Sequence, residues 1–261
     1  MLKRIINKVI RILGLKVQLL DINDINFYSS VENSSLLYTQ LDQDSKELIA
    51  PLMPYSKSEY AQDLFAILSA NNSRSNYFVE FGATDGFTSS NSWLLEKKLG
   101  WKGILAEPAK IFHKSLYQNR NCHIEEKCIA KKGGEIYQFL ECENGVLSSL
   151  ENYAQNGDWA QKIRKEKLSR KYKVETLSLE DLLNKYEAPY EIQFLSLDTE
   201  GSELDILRGF NFEKYKINSI CVEHNRVNKT RKKIYQLLKD KGYKRVFENI
   251  SKVDDWYLLK N

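Results

Sequence analysis

The chain has 261 residues, 42% hydrophobic and 28% charged, enough to bury a substantial core in one large or two small domains. A formal net charge of +4 is too mild to mark a nucleic-acid reader, and no apolar run approaches the roughly 20 residues of a membrane span. Four cysteines, Cys122, Cys128, Cys142 and Cys221, show no C-x-x-C spacing, which disfavours disulfide and zinc roles and suits reduced thiols in a cytoplasmic protein.

Residues 1–50 read as an N-terminal helical extension. In "MLKRIINKVIRILGLK", Leu2, Ile5, Ile6, Val9, Ile10 and Leu13 form one helical stripe, Lys3, Arg4, Lys8 and Arg11 gather opposite, and Gly14 is a stop. A basic amphipathic helix of this kind suits peripheral contact with an anionic membrane surface, or packing on the domain or on a second copy of the chain. Lys8 and Arg11 break the apolar run, against a cleaved signal peptide. Residues 21–50 are polar and weakly patterned. "PYSKSEYAQDLFAILSA" then carries capping-box spacing at Ser56 and Glu59 ahead of an apolar stripe at Leu64, Ile67 and Leu68.

From Tyr77 strands and helices alternate, within a domain expected over residues 51–261. "YFVEF", "GILAEP", "CHIEEKCIA", "IQFLSLD" and "INSICVE" read as strands, several of them almost wholly apolar, as strands covered on both faces must be. Helices are predicted through "SWLLEKKLG", from about Ser202, and over 228–241. "GGEIYQFLECENG" reads as an added hairpin, and "GYKRVFE" with "DDWYLLK" as a closing antiparallel pair. The alternation predicts an α/β doubly wound sheet that binds its ligand at the carboxyl ends of the strands.

The loop "FVEFGATDGFTSSN" raises the question of which ligand. Gly82 and Gly86 let the backbone turn and let a ligand approach. A dinucleotide loop would read G-x-G-x-x-G and offer bare amides to pyrophosphate, whereas Glu80 and Asp85 flank this one. Carboxylates suit a cofactor bearing an ammonium and a sulfonium and no phosphate, which is S-adenosylmethionine. Glu107, twenty-five positions after Gly82 at the end of "LAEP", has the place of an acid that accepts hydrogen bonds from ribose hydroxyls, and Pro108 ends the strand.

"FVEFGATDG", "SNSWLLEKKLGWKGILAEP", "YKVETLSLEDLL", "FLSLDTEGSELDILRGF", "VEHN" and "DDWYLLK" occur here in the order seen in the FkbM-type S-adenosylmethionine-dependent methyltransferases, which the chain resembles from about Ser56 almost to its end. The resemblance implies a class I methyltransferase, Rossmann-like sheet of about seven strands with the last antiparallel. It also implies O-methylation of small molecules, often sugars. Ala61 stands where glycine is usual in the family and Ser92 where threonine is usual. The cofactor set expected is Glu80, Gly82, Ala83, Asp85, Gly86, Ser90, Asn91, Glu107, Pro108, Ile129 and Asp198.

"LSLDTEGSELDIL" places Asp198 at the mouth of the fourth strand, with Glu200 and Glu203 following, and "VEHN" brings Glu223, His224 and Asn225 to the end of the next. Two chemistries fit. Asp198, Glu200 and His224 form a catalytic set in which His224 takes the acceptor's proton. Alternatively Asp198, Glu223 and Asn225 are hard oxygen ligands for Mg²⁺. "QKIRKEKLSRKYK" reads as a solvated helical face, or as a source of Arg164 and Lys171 for an anionic substrate, with Glu203 and Asn225 as further substrate contacts. Tyr235, Tyr243 and Phe247 follow core positions, against RNA binding. The partner expected is a small molecule or glycan such as a nucleotide sugar. The rival readings are a non-catalytic scaffold of the same fold tethered by its N-terminal helix, and an NAD-dependent oxidoreductase, for which the loop lacks phosphate-friendly chemistry.

Overall fold

The computed structural model describes residues 22–70, 76–154 and 161–260, backbone only over 22–29; the amphipathic pattern expected over residues 2–13 lies outside them. In chain order the first elements are α1 (Ile22–Thr39), α2 (Gln43–Ile49), α3 (Gln62–Ser69), β1 (Tyr77–Phe81), α4 (Trp93–Lys97), β2 (Lys102–Ala106) and α5 (Lys110–Asn119). Next come β3 (His123–Glu125), β4 (Cys128–Ile129), β5 (Ile136–Cys142), β6 (Ser149–Leu150), α6 (Gln161–Glu166) and β7 (Leu168–Leu177). The chain closes with α7 (Leu179–Lys185), β8 (Glu191–Leu197), α8 (Glu203–Gly209), β9 (Lys216–Glu223), α9 (Asn228–Asp240), β10 (Tyr243–Val246) and β11 (Asp254–Leu259).

Seven strands form the main sheet in the order β10-β11-β9-β8-β1-β2-β3. β1 pairs in parallel with both β2 and β8, whereas β11 runs antiparallel between β9 and β10. The reversed last strand agrees with the resemblance. The apolar strands are covered on both faces. Tyr77, Val79, Phe81, Leu195 and Leu197 join one core under α7, α8 and α9, and Phe78, Phe194 and Trp256 join the other under α3 and α4. Leu37 of α1 and Ile49 of α2 are fully buried in that second core, so the weakly patterned residues before 50 contribute packing that periodicity does not announce. Because the chain proceeds from β1 to β2 and β3 on one side and later to β8 and β9 on the other, the crevice between β1 and β8 is the switch point where such sheets bind ligands.

Three local expectations change. The helix expected to begin at the Ser56–Glu59 box starts at Gln62 instead. Ser56 Oγ donates to Asp63 Oδ1 at 2.8 Å, and Ser58 Oγ accepts from Asp63 N at 3.0 Å, so the cap is built from serines onto Asp63. Ala61 immediately before it takes a left-handed φ of 67°, the conformation for which glycine is the unstrained choice. "GGEIYQFLECENG" supplies one strand, β5, of a separate four-stranded sheet ordered β4-β7-β5-β6. The basic stretch is helical only over α6; it continues as β7, where Val174 and Thr176 point inward and alternate with exposed neighbours. Alternation at period two outweighed the helical propensity of its lysines and arginines.

Trp256 of β11 is fully buried and stacks on Phe65 of α3 with centroids 4.9 Å apart, tying the reversed strand to the helix that opens the domain. Trp256→Ala is expected to cost about 3–5 kcal/mol of stability, from lost burial plus a cavity, in a denaturant titration followed by far-UV circular dichroism.

Candidate active site

The loop after β1 owes its shape to a buried cation. Arg120, at the end of α5, pairs with Glu80 at 3.8 Å and with Glu96 through Nε, and its two terminal nitrogens donate to the Gly86 carbonyl, Ser90 Oγ and Ser92 Oγ. Glu80 in turn accepts from Asn91 N at 2.7 Å, from Ser90 Oγ at 3.1 Å and from Ser92 Oγ. Burial pushes the Glu80 carboxyl up and Arg120 opposes that shift. Glu80 is thus used inside the loop, and Ser92 keeps the hydroxyl this network needs. Asp85 likewise turns inward on its own loop, accepting from Phe87 N and Thr88 N at 2.9 and 2.7 Å. A Cβ on Gly86 would meet the Arg120 and Leu116 side chains at 2.6 and 2.7 Å, and one on Gly82 would lie 2.1 Å from the Asp198 carbonyl oxygen. Both glycines have positive φ, so close packing and backbone conformation demand the same residue.

A cavity open to solvent sits over the carboxyl ends of β1, β2 and β8. Of the residues expected at the cofactor, Gly82, Glu107, Pro108, Ile129 and Asp198 line it. Glu80, Ala83, Asp85, Gly86, Ser90 and Asn91 stand in the loop without lining it. Glu107 accepts one backbone N–H on each carboxylate oxygen, from Thr84 and Ala109 at 2.8 Å each, which leaves a lone pair on each oxygen for a pair of hydroxyls. Burial pushes its pKa up to about 7. Asn91 Nδ2 donates to Ser196 Oγ at 2.9 Å, while its Oδ1 is a buried acceptor without a partner.

Beyond the loop, carboxylates accumulate. Asp198, Glu203 and Glu223 each bring an oxygen within 4.8 Å of the others. Asp198 and Glu223 hydrogen-bond each other; burial first, and their mutual charge in the case of Glu223, holds both above the usual carboxylate range. Such a bond requires a shared proton. Glu203 Oε1 accepts from Thr199 N, Thr199 Oγ1 and Gly201 N at 2.9–3.0 Å. Asn225 does not offer its oxygen to Asp198. Its Nδ2 donates to Glu223 and Glu200 at 2.9 and 3.2 Å. The amide of Asn225 presents its donor and not its oxygen to the acids, so it does not complete a Mg²⁺ set with Asp198 and Glu223.

Of the residues expected to act on the acceptor or a metal, Asp198 and Glu200 line the cavity, and Glu203, Glu223, Asn225, His224, Arg164 and Lys171 do not. His224 is buried but does not line the cavity; its Nδ1 accepts from Arg226 N at 3.1 Å, and the charges acting most on its ring are Asp255 and Arg231. Burial lowers its pKa and keeps it neutral. One step along β9 turns a side chain to the opposite face, so Glu223 reaches Asp198 and its neighbour does not. Lys171 pairs with Glu151 at 2.6 Å on the surface. Arg164 is buried against Glu200. The wall that sequence reasoning missed comes from the second sheet: Phe139, Gly145, Val146, Ser148 and Leu150. They are apolar or small and carry no motif. Only their placement between "LAEP" and "DTEG" could have hinted at them.

The reversed seventh strand, the glycine loop and the acid at the end of β2 define a Rossmann-like methyltransferase domain. Residues 80–245 match the family described as Methyltransferase FkbM domain, and the chain belongs to that family. It is a methyltransferase, and the family implies S-adenosylmethionine as methyl donor. No curated protein matches the chain. Among the described residues, no helix is long and apolar enough to cross a membrane.

Arg120→Met should leave Glu80 and Glu96 buried without their cation and destabilise the protein by about 3–5 kcal/mol in urea unfolding. Stability should also depend on pH. Glu107 rises from 4.5 to about 7 and Asp254 from 3.8 to about 7 on folding, each mainly by burial, so the folded state holds more protons between those limits. Their contribution is full below about pH 4, falls as pH rises to about 7, and is flat above it. Differential scanning fluorimetry of the ligand-free protein from pH 5 to 8 should show that decline, with a shallower slope in Glu107→Gln.

Proposed function

We propose that this methyltransferase moves the methyl group of S-adenosylmethionine to a hydroxyl oxygen of a neutral polyol, such as a sugar or glycan. One observation carries the reading. The charged residues lining the cavity are Glu107, Asp198 and Glu200, and among the described residues no lysine or arginine lines it. That wall attracts a sulfonium and an ammonium and repels the pyrophosphate of NAD, because like charges are costly where water is excluded. The same acidic lining disfavours a phosphorylated or nucleotide-linked acceptor and favours hydroxyl groups that can donate to carboxylates.

When bound, S-adenosylmethionine would supply an electrophilic methyl carbon, to which the acceptor oxygen would bond as the carbon–sulfur bond breaks and a neutral thioether leaves. Glu107 would receive the ribose hydroxyls. Asp198, half-buried with a carboxyl raised toward working pH, is the group placed to receive the acceptor's proton, with Glu223 as its hydrogen-bonded partner. His224 is not needed for this. The chain's larger task is to orient the two reactants and exclude water. The tethered, non-catalytic scaffold gains no support from the site, since a chain freed from catalysis has no physical need to hold three carboxylates at one cavity.

Calorimetric titration tests the reading. S-Adenosylmethionine and S-adenosylhomocysteine should bind and NAD should not, and Glu107→Ala should weaken both adenosyl ligands at least about tenfold, the worth of one charge-assisted hydrogen bond. Ribose donors favour ionised Glu107, so binding near pH 6.5 should release protons and make the enthalpy depend on the buffer's ionisation heat. Absence of adenosyl binding by the wild-type protein would refute the assignment.

A further inference from the structure

Arg164 was a candidate for gripping an anion, yet the structure uses it inside the cavity wall. It comes from α6 and is 2% exposed. Its Nε donates to the Leu147 carbonyl at 2.9 Å and its Nη2 to Glu200 Oε2. Leu147 lies between β5 and β6, in the segment whose Gly145, Val146 and Ser148 form one side of the cavity; Glu200 belongs to the turn between β8 and α8 that forms the other. One guanidinium therefore joins the second sheet to the main sheet beside the cavity.

Two further hydrogen bonds hold Glu200 in place. Ser149 Oγ donates to the Glu200 carbonyl at 2.9 Å, and Asn225 Nδ2 donates to the Glu200 carboxylate at 3.2 Å while also holding Glu223. Glu200 itself sits at a φ of 57°, a left-handed conformation that a β-carbon disfavours and that persists only where surroundings impose it. A planar fork that spans a carbonyl and a carboxylate is a task for arginine and not for lysine.

We infer that Arg164 is a positioning residue for methyl transfer: it locks the wall formed by residues 145–150 to Glu200, and so sets the shape and charge of the cavity where donor and acceptor meet. It does not recognise an anionic substrate. The inference rests on the proposed function, because shape matters here only if the cavity holds the adenosyl ligand.

The test is titration of S-adenosylhomocysteine into wild type, Arg164→Met, Arg164→Lys, Glu200→Gln, Ser149→Ala and the Arg164→Met/Glu200→Gln double variant, with thermal unfolding of each. Arg164→Met should lower affinity at least tenfold and Arg164→Lys less. Ser149→Ala, which strands no charge and should fold, is expected to lose about threefold. The double variant separates positioning from mere stability. Removing the stranded carboxylate should restore the melting temperature, while affinity should stay below that of Glu200→Gln alone, the variant that accounts for the lost wall charge, because the two walls remain unjoined. Affinity that recovers together with stability, or wild-type affinity in Arg164→Met and Ser149→Ala, would overturn the inference. So would inorganic phosphate stabilising the wild type and not Arg164→Met, which would make Arg164 an anion ligand. Failure of the wild type to bind S-adenosylhomocysteine at all would remove the proposed function itself, and this inference with it.

Discussion

The buried guanidinium of Arg120 is the interaction on which the site depends. A glycine loop at the end of a strand has many conformations, and a carboxylate within it would prefer water. Arg120 removes both freedoms by meeting Glu80, Glu96, the Gly86 carbonyl and two serine hydroxyls at once. Desolvating two acids and a cation is unfavourable, and such a network holds only when nearly every lone pair and proton finds a partner. Three serine and asparagine positions in a row after the loop, Ser90, Asn91 and Ser92, supply those partners. With the loop rigid, Gly82 can lie against the Asp198 carbonyl, which brings β1 and β8 close enough to form one cavity floor.

A second electrostatic theme follows from this floor. Parallel strands that end together bring their terminal side chains together, and here those are Glu107, Asp198 and Glu223. Some of the resulting repulsion is relieved by hydrogen bonds from backbone amides and Asn225, and some by retained protons. Arginine does the same for Glu200 from the rim. The cavity thus stays acidic without carrying the full charge its residues would have in water. A cationic ligand gains there, and a proton acceptor with a raised pKa is available at the same place.

The strand run from β1 to β2 and from β8 to β9 was legible because strands buried on both faces must be apolar throughout, and the loops between them contain residues that packing alone does not explain. Gly82, Glu107 and Asp198, each at the carboxyl end of a strand, line the cavity. Other assignments rested on residue type without direction. Glu80 and Asp85 are acids beside the right loop, but their hydrogen bonds turn them into it. His224 has suitable chemistry one residue away from the right face. The basic run of 161–173 has helical composition, yet its second half folds as the start of β7, because the second sheet offers Val174 and Thr176 a buried side.

By itself the sequence determined the class of fold, the place of the binding loop and the acidic character of the ligand site, since these follow from local periodicity, glycine at fixed positions and charge that is indifferent to geometry. Only the tertiary structure decided which acids face the cavity, that Arg164 is held by Glu200, and that the apolar wall arrives from a second sheet. Those outcomes depend on side-chain direction and on contacts between segments far apart in the chain, as between Arg164 and Glu200 or Gln62 and Asp254. A one-residue step along a strand reverses direction while leaving composition almost unchanged, so no local pattern records it.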